Sequence, residues 1–187
     1  MYQCVTRSLV DFMVWATYPR QIHPSIADGG TTLPGKIQRE ILQNKPIPSL
    51  EEEAYLNVQR TANVLLQGLT EVLRGHDLTP TQYNVLRILR GAGDKGLTAG
   101  EVGDRMITRD PDVTRLLDRL EKRGLASRWR CTTDRRVVWT RITDAGLAAI
   151  APLDAEIAEL HLAQLAHIGA EGLTSLIALL EAAREPV

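Results

Sequence analysis

The chain has 187 residues, 44% of them hydrophobic and 24% charged, with a formal net charge of −1. These values are ordinary for a soluble globular protein of one compact domain, or two small ones sharing a core. Its two cysteines, Cys4 and Cys131, exclude a secreted-type disulfide framework and lack zinc-ligand spacing.

No apolar run reaches the roughly 20 residues of a membrane span. The nearest, Leu9–Tyr18, carries Asp11 and runs into Pro-Arg-Gln-Ile-His-Pro rather than a small-residue cleavage site. No membrane partner is therefore expected, and the cysteine usage points to a reducing cytoplasm. The charge is unevenly spread. Arg105–Arg136 holds ten bases against five acids, whereas from Asp144 onward seven acids face Arg184 alone. A basic segment followed by an acidic one suggests a polyanion-binding module joined to a part that avoids the polyanion.

In chain order, residues 1–48 read as an N-terminal extension, partly disordered or with one short helix near Thr6–Ala16, followed by a loop-like His-Pro-Ser-Ile-Ala-Asp-Gly-Gly stretch. Ser49 with Glu52 forms a capping box opening a helix that runs to about Gly75. Thr79, Pro80 and Gln82 repeat the signal for a helix carrying Val85, Leu86 and Leu89. Thr98 with Glu101 opens a third, short helix ending near Met106. After a turn, Asp110 is expected to cap and Pro111 to begin a longer helix that stops at Gly124. Val113, Leu116, Leu117 and Leu120 fall on one arc of it, and Thr114, Arg115, Asp118 and Lys122 lie opposite.

Beyond Leu125 the helical period is lost. Two strand-prone segments flank the charged triplet Asp134-Arg135-Arg136, which predicts a β-hairpin with Trp129 facing Trp139. The triplet is either a solvated tip or a contact for something negatively charged. Thr143 then caps a helix to about His167, which Pro152 should kink or interrupt. A last helix over Glu171–Arg184 carries Leu173, Leu176, Ile177 and Leu180 on one side.

Short helix, turn, longer helix and hairpin make a winged helix-turn-helix. The second helix of such a unit enters the DNA major groove with its N-terminal residues at base edges. Arg115 is best placed to form a bidentate pair with guanine. Thr114 suits a thymine methyl or a phosphate, and Arg109, in the turn, a phosphate or a base. Asp112 can accept from a cytosine amine or orient Arg115. The plainer reading of Arg115 is an exposed helix arginine paired with Asp112 or Asp118.

The segment from Val113 to Gly146 resembles the core of the MarR family of winged helix-turn-helix transcriptional regulators. The Asp-Arg-Leu-Glu-Lys-Arg-Gly-Leu helix end, the wing Asp-x-Arg (Asp134 and Arg136) and the Thr-x-x-Gly of Thr143 and Gly146 carry the likeness, which covers about residues 50–184. It implies a mainly α fold with a small β-hairpin wing: a winged helix-turn-helix domain over 77–142 and a helical dimerisation region from 49–76 and 143–187. It also implies a homodimeric regulator of repressor type on a pseudo-palindromic double-stranded DNA operator. By the same resemblance Arg136 reaches the minor groove, Asp134 supports it and Arg135 meets a phosphate.

Family members commonly respond to small phenolic or other aromatic ligands or to cysteine oxidation. A small-molecule effector is thus an open partner, although no residue identifies its site. Cys131 sits beside Arg130, yet a lone cysteine in a strand is usually a small apolar residue. His161 and His167 lack the i, i+4 spacing of paired ligands, so neither metal nor cofactor is expected. With no glycine-rich phosphate loop and no nucleophile elbow, an enzyme is not expected either. The alternative is a winged-helix module that binds protein rather than DNA.

Overall fold

Side-chain caps at Ser49, Thr79, Thr98, Asp112 and Thr143 set where five of the helices begin. The computed structural model describes residues 35–108 and 112–185. Cys4, the expected Thr6–Ala16 helix, Arg109, Asp110 and Pro111 lie outside the described residues. The elements are α1 (Lys36–Glu40), α2 (Leu50–Arg74), α3 (Pro80–Ala92), β1 (Leu97–Thr98), α4 (Ala99–Arg105), α5 (Val113–Lys122), β2 (Ala126–Arg130), β3 (Val138–Ile142), α6 (Asp144–Ile150), α7 (Leu153–Leu165) and α8 (Gly169–Ala182). Single 3-10 turns follow α3 and α7. Ser49 accepts from the Glu52 N–H at 3.2 Å before α2. Full capping boxes open α3, from Thr79 and Gln82, and α4, from Thr98 and Glu101. The two bonds that Thr98 donates to the Glu101 carboxylate hold it below its usual range.

One start differs from expectation. The cap of α5 is Asp112, not Asp110: its carboxylate accepts from the Arg115 N–H at 3.2 Å. Asp112 has φ −123° and ψ 47°, outside the helical region, so α5 begins at Val113.

By its internal packing the chain forms two units, residues up to Asn63 and residues from Val64 on. In the first, Ile37 of α1 and Ile47 are buried, and Arg60 of α2 meets Glu40 at 3.5 Å. In the second, one core joins the end of α2 (Leu73), the inner face of α3 (Val85, Leu86, Leu89), Val102 of α4, and Ile150, Leu153 and Ile157 beyond the wing. Leu116, Leu117 and Leu120 of α5 are buried in it, and burial of each leucine contributes about 2 kcal/mol. Arg90 of α3 makes a two-pronged bond to Asp154 of α7 at 2.8 and 2.9 Å, holding that carboxyl below its usual range.

The sheet is antiparallel in the order β1-β3-β2. The expected hairpin is its larger part, with Trp129 directly opposite Trp139. The two-residue β1 adds a third strand, pairing Leu97 with Thr140 and Thr98 with Trp139. It was not expected, because those residues read as the approach to a helix cap. Pro152 interrupts the helix after Thr143: α6 ends at Ile150 and α7 begins at Leu153.

Asp144–Ala182 holds an 18-residue window of mean hydropathy 1.3, apolar enough by composition to cross a membrane, which corrects the expectation that no such stretch exists. A 3-10 turn at Ala166–Ile168 and the positive φ of Gly169 separate α7 from α8. Each of the two is about 20 Å long, short of the hydrocarbon thickness of about 30 Å.

Gly146 lies where α6 crosses the start of the wing. A Cβ there would collide with the Leu125 carbonyl oxygen and come within 2.6 Å of Ile142 Cγ1. Gly146→Ala is expected to destabilise the fold by about 2 kcal/mol, seen as an earlier midpoint in urea denaturation with an unchanged slope.

Candidate nucleic-acid interface

Helix α5 carries its chemistry at its start. Thr114 and Arg115 are exposed. Asp112 serves Arg115 twice: Oδ1 accepts from its backbone N–H, and Oδ2 lies 3.1 Å from its Nε. The guanidinium is thereby fixed along its Nε edge while 77% of the side chain stays exposed. Arg109 lies outside the described residues. The far end of α5 closes with Gly124 at φ +71°, a backbone conformation that suits glycine. Gly124 donates to the Glu121 carbonyl at 2.8 Å and Leu125 to that of Leu120 at 2.9 Å, the paired bonds of a Schellman end.

The wing tip is ordered by Asp134. Its backbone carbonyl accepts from Val137 N–H at 3.0 Å, and its carboxylate accepts from Arg136 N–H at 3.0 Å. Both bonds are those of an aspartate-started turn. Below the tip, Cys131 N–H donates to the Val137 carbonyl at 2.9 Å. Arg135 and Arg136 are exposed, and neither side chain has a protein partner among the described residues.

Several bases that the sequence counts as an excess are committed internally. Arg128 of β2 reaches back to α5, 2.6 Å from Asp118 and 2.6 Å from Glu121. Those bonds, Glu121 foremost, raise its pKa. Arg123 donates to the Asp77 carbonyl at 2.7 Å and Arg105 to the Glu101 carbonyl at 2.6 Å. Arg141 lies 5.6 Å from the Trp129 ring centre. Uncommitted among the described residues of this region are Arg119, Lys122, Arg130, Arg135 and Arg136. Arg119, Lys122 and Arg130 were not singled out from sequence, since only the pairing of their neighbours sets them apart.

A cleft of about 420 Å³ separates the wing from α5, lined by Thr98, Thr114, Leu117, Arg128, Arg136 and Thr140 among others. It brings together Thr114 and Arg136, 22 positions apart in the sequence. Thr140 is buried in the sheet, and its Oγ1 has no hydrogen-bond partner among the described residues.

The comparisons with known proteins agree with this architecture. A family model described as MarR family matches residues 76–137. A solved structure described as a MarR transcription factor from Planctomyces limnophilus is 39% identical, with a TM-score of 0.57, covering 73% of this chain and 98% of that one. A mutant MarR from E. coli, complexed with operator DNA, is 25% identical at a TM-score of 0.63, covering 68% of this chain and 91% of that one. The HTH-type transcriptional regulator MhqR of Bacillus subtilis is 28% identical over 51% of this chain and 65% of its own length. The chain spans between 49% and 65% of the length of the first curated relatives it matches.

Cys131 follows directly on β2, with its sulfur 3.1 Å from the Thr133 hydroxyl. That hydroxyl, then the Asp134 and Thr133 N–H groups, favour the thiolate and bring the thiol down to about 7. In a Cys4→Ser background, alkylation of Cys131 by iodoacetamide should reach half its maximal rate near pH 7. Thr133→Val should move that midpoint up towards the ordinary thiol value of about 8.5.

Proposed function

The chain belongs to the MarR family of transcriptional regulators, and from that premise we propose that it is a sequence-specific DNA-binding regulator of repressor type, acting as a homodimer on a pseudo-palindromic operator. The observation that carries the reading is the sorting of charge. Arginines behind the interface are committed to carboxylates or carbonyls, whereas Arg135 and Arg136 at the wing tip are exposed and unpaired among the described residues.

Helix α5 would lie in the major groove with Thr114 and Arg115 at base edges. Asp112 holds the Arg115 Nε, which leaves the two Nη groups as the fork that matches guanine O6 and N7. Asp112 thus acts as cap and orienter rather than as a base reader. Arg136 would enter the minor groove, Arg135 would meet a phosphate, and Asp134 would hold the turn that aims both. Arg109 is assigned by its place in the turn before α5 as a phosphate or base contact.

Exposed apolar side chains support the homodimer: Val58 of α2 is 49% exposed, and Ile177 and Leu179 of α8 are 56% and 69% exposed. A second copy would cover them. The named relatives are transcriptional regulators, and we read this chain as a regulator rather than an enzyme, working in the cytoplasm. The proposal includes a small-molecule effector.

Selection of bound sequences from random DNA gives the operator, and repeating it with small aromatic acids present reads out the effector. On that operator, Arg115→Ala should cost about 1–3 kcal/mol of discrimination at one base position, and Arg136→Ala should weaken binding. Affinity should fall with salt with a log–log slope near −0.9 per phosphate contacted. Unchanged binding by both variants would sink the assignment, and a protein-binding adaptor would select no DNA sequence. Ile177→Glu should shift the chain towards monomer in sedimentation equilibrium.

A further inference from the structure

We propose that the cleft between the start of α3 and the outer face of α5 seats one phosphodiester of the DNA backbone, held by Arg119. The inference rests on the DNA-binding reading and adds a contact that neither the start of α5 nor the wing supplies.

Arg115 and Arg119 are four residues apart, so they share one face of α5. Both line a cleft of about 310 Å³ whose opposite wall comes from α3, with Thr79, Thr81 and Gln82. The lining contains one acid, Asp112, and two bases. Asp112 is bonded to Arg115 through both the backbone N–H and Nε. Arg119 has no acidic partner among the described residues. The described lining thus keeps one uncompensated positive charge, and a phosphodiester carries one negative charge.

The α3 wall supplies donors. In its first turn Pro80 has no N–H, the Gln82 N–H is spent on Thr79 Oγ1 at 3.2 Å, and the Tyr83 N–H on the Thr79 carbonyl at 2.9 Å. Thr81 keeps both its N–H and its hydroxyl for an outside acceptor. The Gln82 side-chain oxygen is taken by the Thr79 N–H at 3.0 Å, and its amide NH₂ donates to no acceptor among the described residues. Across the cleft, the guanidinium of Arg119 is a charge-assisted donor.

The two walls are held at a fixed spacing. Arg123, at the end of α5, donates to the Asp77 carbonyl just before α3 at 2.7 Å and reaches Gln82 Oε1 at 3.5 Å. Buried Leu116 and Leu117 tie the same helix to the core under α3. The site therefore needs no rearrangement to take its ligand, which keeps the ordering cost of binding small.

Position favours the backbone over a base. Base-reading residues lie at the start of a recognition helix. Arg119 sits one turn, about 6 Å, along the helix from Arg115, away from that start and across the cleft from the first turn of α3. A contact there would fix the register of the protein on the duplex without reading sequence.

The test uses the full chain and its selected operator. Single neutral methylphosphonates are scanned along each strand, and binding is measured for the unmodified protein, Arg119→Ala and Arg119→Lys. Arg119→Ala should bind every sequence about tenfold more weakly, with unchanged base preference. Its log–log salt slope should be shallower by about 0.9 per half-site. One methylphosphonate position per half-site should weaken the unmodified protein and leave Arg119→Ala unaffected. Arg119→Lys, which keeps the charge, should restore the slope. The Arg119 side chain is exposed and has no partner among the described residues, and circular dichroism checks that each variant folds. Binding by Arg119→Ala equal to that of the unmodified protein, or a change in its base preference, overturns the inference while leaving the DNA-binding reading intact. Failure of the unmodified protein to select any DNA removes both.

Discussion

Thr143 is the knot on which the geometry of the interface depends. Its hydroxyl donates to the Gly124 carbonyl at 2.6 Å and accepts from the Gly146 N–H at 3.0 Å, while its own N–H donates to the Leu125 carbonyl at 3.1 Å. One residue therefore ties the end of α5, the start of β2 and the start of α6. The chain leaves α5 into the wing and returns from it at the same point. Both ends of the hairpin are anchored to the helix it must act beside, so the wing cannot swing without breaking bonds worth about 1 kcal/mol each. Gly146 is needed because only a residue without Cβ lets α6 come this close to Leu125.

From that knot outward, charge is divided between holding the fold and facing solvent. Arg128 stands in β2 but spends its guanidinium on Asp118 and Glu121 of α5, binding wing to helix by charge as Thr143 does by hydrogen bonds. Arg105 covers a carbonyl in the last turn of its own helix, and Arg123 one in the turn between α2 and α3. A count of ten bases against five acids treats these groups as equals. The folded chain separates them by whether an acid or a carbonyl lies within reach.

Much of the fold was legible because it is written in local chemistry. A hydroxyl three residues before a Glu or Gln, a proline at a helix start, a glycine past a helix end and Pro152 in a helical pattern all act within one turn of chain. The facing of Trp129 and Trp139 followed from the position of the charged tip. Non-local features were not legible. Residues 97 and 98 become a strand only because β3 arrives beside them, some 40 positions later. The shift of the cap to Asp112 turns on a backbone angle, and Asp110 and Asp112 look alike as sequence. Within the candidate site, the placing of Thr114, Arg115 and the wing triplet could be named from spacing. The cleft at Arg119 could not, since its second wall lies nearly 40 residues earlier.

The tryptophan pair has an optical consequence. Two of the three tryptophans, Trp129 and Trp139, lie opposite each other towards the tip end of the paired strands, with the Arg141 guanidinium 5.6 Å from one ring centre. Indole emission responds to nearby charge and to solvent, and Trp129 is 38% exposed. Two of the chain's three indoles thus stand in the hairpin itself, so the molecule carries a built-in spectroscopic gauge of the posture of its wing.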